Sequence, residues 1–332
     1  MSKNADMSIV RLMNYRTVWD FVYSNGEVTI PMISRGTGLS LPTVTRAVEY
    51  SIGEGLLLSC GADKNGARGR NAQSFCFNQG YMHVLFICVH FCMLHYEVHD
   101  FGGNVLKRGA FETNDETILN DFDTVIKSCA NDYPKLGIIG VSFSGTVLNG
   151  KIIEAYSFPS LNGFDMQSEF EARYDKFVFV ENDLKSAASA VQKYAPQYKH
   201  GVTVAFLYGN LGYGSGVLIN GRILHGATGA AGKLGEAVVT QENRQSTEFY
   251  GELLQTVISL FDPERIIMYP NANADTKRVI ELGTRRFPFR TATEFIIGRD
   301  FTADTFLGLS TICKKKLLKP NGKIKLLKTA IE

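Results

Sequence analysis

Six side chains of the types that coordinate metals crowd one stretch of the chain: His83, Cys88, His90, Cys92, His95 and His99. Alternate residues of an extended strand point the same way, so Cys88, His90 and Cys92 are expected on one face. The residues around them, from Val84 to Leu94, are mostly apolar. That setting favours buried thiols and a satisfied histidine over a metal centre. A second set of residues suits nucleic acid. Thr43, Thr45 and Arg46 lie close together, and Lys64, Arg68 and Arg70 punctuate the glycine-containing stretch 61–71. Hydroxyl and guanidinium groups bond phosphates and base edges. Residues 314–328 hold seven lysines and no acid, a pattern more common on a solvated helix face than in a DNA contact.

The elements that would position the second set can be read from spacing. Ile9, Leu12, Met13, Val18, Trp19 and Val22 recur at helical intervals between Ser8 and Tyr23, and Asn25-Gly26 supplies a stop. A short helix starts at Thr29 and ends near Gly36-Thr37-Gly38, where glycine allows a tight turn. Ser40 is a natural N-cap for a third helix with Pro42 in its first turn, and Val44, Ala47, Val48 and Ile52 fall on one face. Two strands, around 56–60 and 74–77, flank a basic hairpin. Helix, glycine turn, capped helix and basic wing in this order predict a winged helix-turn-helix. The expected DNA contacts are Ser40, Thr43, Thr45 and Arg46 on the third helix and Lys64, Arg68 and Arg70 on the wing. The alternative is a protein-interaction module without DNA binding.

The rest of the chain interleaves strands and helices: paired strands over 84–98, a hairpin turn at Phe101-Gly-Gly-Asn104, a helix over 117–131, a buried strand at 136–143, a strand at 176–180, a helix at 184–194 and a further strand at 202–207. The class is α/β. At 332 residues two or three domains are expected. Apolar residues at 45%, charged residues at 20% and a formal net charge of +2 describe an ordinary globular protein with no massively basic coat. No apolar run is long enough for a membrane span and no signal-peptide core opens the chain, so a cytoplasmic location and free thiols at all six cysteines are expected.

Several segments resemble the ROK family of repressors, open reading frames and sugar kinases. Thr37-Gly-Leu-Ser-Leu-Pro-Thr-Val-Thr-Arg46, Glu54-Gly-Leu-Leu57 and Gly66-Ala-Arg-Gly-Arg70 are similar to its DNA-binding half. Gly140-Val-Ser-Phe-Ser-Gly145, Val180-Glu-Asn-Asp183, Gly212-Tyr-Gly-Ser-Gly216 and Gly226-Ala-Thr-Gly-Ala-Ala-Gly-Lys-Leu-Gly-Glu236 are similar to its kinase-like half. The set is colinear over roughly residues 10 to 312. It implies a winged helix-turn-helix at 1–80 followed by a two-lobed actin-like, ribonuclease-H-like domain. The first lobe would span 81–193, with helices of 303–332 packing back on it, and the second 194–302.

The resemblance also marks departures. The family's first phosphate turn, Asp-x-Gly-Gly-Thr, falls on Cys88-Val-His-Phe-Cys92, which has lost its carboxylate and both glycines. The threonine before the second glycine turn is Leu211. Asp183 matches the catalytic base and Asn182 a sugar-hydroxyl ligand. Sugar contacts elsewhere are replaced by Ser157 and Lys233, and the zinc-binding histidine is replaced by Glu236, with no cysteine or histidine from Ala237 to Phe261. A base without a phosphate donor performs no phosphoryl transfer. The expectation is a kinase-inactive regulator, commonly a repressor, acting as a homodimer or tetramer on an operator in double-stranded DNA. It would need no cofactor, metal or membrane. A sugar or sugar-phosphate effector would contact Ser157, Asn182, Asp183, Lys233 and Glu236. Lys233 either reads an anionic ligand or pairs with an acid such as Glu236. The alternative function is an ATP-dependent sugar kinase carrying a DNA-binding domain.

Overall fold

The computed structural model describes residues 3–62, 73–194, 200–209, 212–236, 246–271, 275–287 and 292–317. Helix α1 (Lys3–Asn25) ends where Gly26 turns left-handed with φ 73°. After β1 (Val28–Thr29), the Thr29 hydroxyl accepts from the Met32 amide and starts α2 (Ile30–Thr37), which Gly38 terminates, again at φ 73°. Helix α3 (Leu41–Gly53) begins after Ser40, whose backbone is extended as an N-cap requires. Its side chain does not cap the helix; the hydroxyl bonds that of Thr43 at 2.9 Å. β1 pairs with β3 (Gln73–Phe77), which pairs with β2 (Leu57–Ala62).

Val18, Val22, Ile33, Val44, Ala47, Val48, Leu57 and Phe75 fill the core of this module. Each such burial contributes about 1.5–3 kcal/mol. One expectation is corrected here: Ile52 is 38% exposed, and Ser51 takes the inward position. Ser51 can lie inside because both its bonding roles are met. Its hydroxyl accepts from the Trp19 indole at 2.6 Å and donates to the Ala47 carbonyl at 2.5 Å.

The remaining chain forms two five-stranded sheets of the same design. In the first, β4 (His83–His90), β5 (Met93–Asp100) and β6 (Val105–Glu112) are consecutive antiparallel strands, and β7 (Leu136–Phe143) and β10 (Phe177–Asn182) add in parallel beyond β4. In the second, β11 (Val202–Gly209), β12 (Gly214–Ile219) and β13 (Arg222–Ile223) take the meander positions, and β14 (Arg265–Asn271) and β15 (Glu294–Ile297) the parallel ones. A small hairpin of β8 (Thr146–Leu148) and β9 (Lys151–Glu154) follows β7.

Helices α4 (Ile118–Asp132) and α5 (Met166–Tyr174) cover the outer face of the first sheet, through Phe122, Val125 and Phe170. Helices α7 (Thr247–Phe261) and α8 (Thr276–Thr284) cover the outer face of the second. Between the sheets lie α6 (Asp183–Tyr194), which packs Leu184, Ala187 and Val191 on the second sheet, and α9 (Phe301–Leu317), which packs Phe306, Leu309 and Ile312 on the first. These two cross closely: a Cβ on Gly308 would lie 1.7 Å from the Ser186 carbonyl oxygen. The two-lobed α/β architecture implied by the resemblance is therefore present. No described helix is long and apolar enough to cross a membrane.

The expectation of six free thiols is overturned. Cys60 and Cys76, on the neighbouring strands β2 and β3, are joined as a disulfide with Cα atoms 6.5 Å apart. Antiparallel pairing brings together residues separated by 16 positions in the chain, which spacing alone did not reveal.

Candidate functional site

Two regions carry the expected functional residues. On α3, Ser40 and Arg46 are exposed and Thr43 and Thr45 half-buried, all around the N-terminal half of the helix. Leu41 beside them is 51% exposed. Thr45 spends its proton on the Leu41 carbonyl at 2.9 Å, so its hydroxyl meets a partner as an acceptor only. Lys64, Arg68 and Arg70 lie outside the described residues.

The second region is the cleft between the sheets. The chain reverses from β4 to β5 through Phe91 and Cys92, both left-handed with φ of 50° and 57°. That conformation suits glycine and costs an L-residue about 1–2 kcal/mol. The reversal is thus made in left-handed backbone without glycine. Because the strand ends at His90, Cys92 leaves the face expected for it and is exposed, while Cys88 and His90 stay buried.

His90 lies beside the Cys88 sulfur through Nδ1 at 3.1 Å and Thr302 Oγ1 through Nε2 at 3.1 Å, and its ring stacks on His95. Burial, reinforced by His95, pushes its pKa down to about 4, so the ring is neutral near pH 7. Burial and the nearby Asp183 push the Cys88 thiol well up. Among the described residues no three His, Cys, Asp or Glu side chains are grouped to hold a metal ion.

Phe91 faces the second glycine turn: a Cβ on Gly212 would lie 3.9 Å from its ring. Packing also bears on the other glycines of that turn, firmly at Gly216, where the neighbour is backbone, and lightly at Gly214, where it is a side-chain methyl. A Cβ on Gly216 would meet the Leu184 carbonyl oxygen at 2.2 Å, and one on Gly214 the Leu184 side chain at 2.9 Å. Leu211 lies outside the described residues. At the positions where the resemblance implies a glycine and a carboxylate, this cleft holds an aromatic ring and a buried thiol.

At the N-terminus of α6, Asn182 serves as the cap: its carbonyl oxygen accepts from the Lys185 amide, and its NH2 donates to Gly145 O and Asp183 Oδ1. Asp183 is 3% exposed and also accepts from the Leu184 amide at 2.8 Å. Burial pushes its pKa up to about 7, against the hydrogen bonds that favour the ion, including one from Ser144.

Three contacts then tie the first lobe to the segment 225–233. Glu181 binds His225 at 2.8 Å, the buried Lys185 ammonium donates to Gly229 O at 2.6 Å, and Lys233 pairs with Glu154 while lying over the Tyr156 ring. Lys233 therefore has an acid partner, contributed by β9. Ser157 is exposed in the bend after Tyr156, and Glu236 ends the short turn Leu234–Glu236. Glu154, Glu181, Lys185 and His225 were not singled out from sequence. Glu181 and Lys185 flank the Asn182-Asp183 pair closely enough to have been suspected.

The sequence pattern of the ROK family matches residues 94–247. The xylose repressor of Bacillus subtilis (strain 168) is 22% identical over 279 residues, covering 80% of this chain and 72% of the repressor. Residues 94–247 carry the ROK match, and the likeness to the repressor extends beyond them. A solved ROK family transcriptional regulator, a homolog of the E. coli MLC protein, shares the fold with a TM-score of 0.74 at 16% identity, over 97% of this chain and 99% of that one. The ROK hexokinase of Thermus thermophilus gives a TM-score of 0.55 at 18% identity, over 69% of this chain and 97% of the hexokinase. The regulator's fold thus extends over nearly the whole chain, the hexokinase's over about two thirds of it.

Proposed function

We propose that this protein is a transcriptional repressor of the ROK family that binds DNA sequence-specifically and performs no phosphoryl transfer. The observation that carries the reading is α3: a helix held by a buried face of Val44, Ala47 and Val48, with Ser40, Thr43 and Arg46 on its free leading side. Inserted in a major groove, those groups would bond base edges and phosphates, with Lys64, Arg68 and Arg70 contributing from the wing. A homodimer would present two such helices to a pseudo-palindromic operator. The likeness to xylose repressors supports repression.

The cleft is proposed to bind a sugar or sugar phosphate. Asp183 supports this: a carboxylate held in a nearly dry site lowers stability near pH 7, and proteins retain such groups where function needs them. Asn182, Ser157 and Glu236 complete the proposed contacts, and Lys233 contributes once Glu154 is displaced. Thermal unfolding with a panel of sugars and sugar phosphates tests the cleft, and a rise in Tm with one of them is expected.

Selection of bound duplexes from a random pool, followed by titration of the recovered sequence, tests the DNA reading. Arg46→Glu is expected to weaken binding about tenfold or more. Unchanged affinity in that variant, or recovery of no sequence at all, would remove α3 from the role.

A further inference from the structure

Four cysteines carry free thiols: Cys88, Cys129 and Cys313 are buried, and Cys92 is exposed. The other two form the Cys60–Cys76 disulfide. The β2–β3 ladder slips between Ser59 and Gly61, which makes Cys60 the extra residue of a bulge and places it on the surface. Cys76 is half-buried opposite Leu58. The pair is thus open to small solutes, unlike the buried thiols of the cleft. Exposed disulfides are the ones that exchange readily with small thiols. The bond also closes into a loop the stretch of sequence containing Lys64, Arg68 and Arg70. The stem it closes is tied to the helices, since Ser74 bonds both Glu27 and the Gly61 carbonyl and β3 pairs with β1.

We propose that Cys60 and Cys76 form a thiol–disulfide site that exchanges with small disulfides of the glutathione type, and that its state sets the affinity of the winged module for DNA. One cysteine thiolate attacks a sulfur of the glutathione disulfide, forming a mixed disulfide and expelling one glutathione thiolate. The second cysteine thiolate attacks the protein sulfur of that bond and expels the other. Two protein thiols and one glutathione disulfide become one protein disulfide and two glutathione thiols. The protein pair gives up two electrons and the glutathione disulfide takes them. Cross-linking removes conformations from the loop before DNA is met, so less order has to be imposed on binding. The disulfide form is the tighter binder. The exchange stands independently; its effect on DNA rests on the function proposed above.

The full chain is equilibrated in glutathione buffers from fully reduced to fully oxidised. Remaining thiols are alkylated and counted by intact mass, and affinity for the selected duplex is measured in each buffer. The wild type and Cys92→Ser are expected to lose two alkylatable thiols together on oxidation, and Cys60→Ser and Cys76→Ser to lose no such pair. Affinity of the wild type is expected to rise roughly five- to tenfold on oxidation, with no redox dependence in Cys60→Ser or Cys76→Ser. Failure to pair at any ratio, or pairing through Cys92, would overturn the site. Pairing without a change in affinity would overturn the switch while leaving DNA binding intact. Absence of DNA binding in both states would overturn the functional reading and the switch with it, but not the exchange.

Discussion

Two turns meet in the cleft, and they are held in opposite ways. Phe91 and Cys92 turn left-handed without glycine, and the rings of His90 and Phe91 pack edge to face beside them. Residues Gly212–Gly216 hold three glycines, and Gly216 is fixed by the close approach of the Leu184 backbone on α6, with no phosphate needed to explain it. A glycine can thus be held by packing alone, whatever else its turn does. A left-handed turn can likewise be held without the residue that makes it easy.

The sharpest way to break this comparison is Gly216→Ala. Its Cβ must displace helix backbone, and a loss of about 3 kcal/mol or more in unfolding free energy is expected. A neutral result would mean that packing does not hold this glycine. Asp183→Asn comes next. Folding raises the pKa of this carboxyl from the ordinary 3.8 to about 7, so the folded chain binds the proton more tightly than the unfolded one. Stability is highest below the ordinary carboxylate range, falls as pH climbs from about 4 to about 7, and levels off above. The variant lacks that loss and is expected to be more stable than the wild type by about 2–3 kcal/mol near pH 8, with the gap closing toward pH 4. Denaturant unfolding across that range measures it. The smallest effect is expected from Cys92→Gly. Relief of the left-handed strain, partly offset by the freedom glycine gains in the unfolded chain, should stabilise by about 0.5–1 kcal/mol.

Legibility in the sequence followed the range of the interaction. Helix α3 was readable because its signals are local: Ser40 and Pro42 at one end, and the spacing of Val44, Ala47 and Val48 within it. The exchange of Ile52 for Ser51 was not, since it depends on Trp19 arriving from another helix with a free N–H. The first sheet was visible as apolar runs, because its strands are buried over most of their length. The cross-lobe contacts were hidden. Glu181 and His225 stand 44 positions apart, and Glu154 and Lys233 stand 79 apart. Side chains at such separations look like ordinary surface charges until a fold joins them. The Cys60–Cys76 bond escaped because the expectation of a reducing compartment was allowed to stand in for geometry.

The decisive measurement on the cleft is calorimetric titration of the full chain with magnesium ATP, with a phosphoryl-transfer assay on hexoses run on the same sample. The proposed function predicts no saturable heat and no sugar phosphate, with Phe91 and Cys88 at the positions where the resemblance implies phosphate and magnesium contacts. Saturable uptake of the nucleotide accompanied by transfer to a hexose would contradict that.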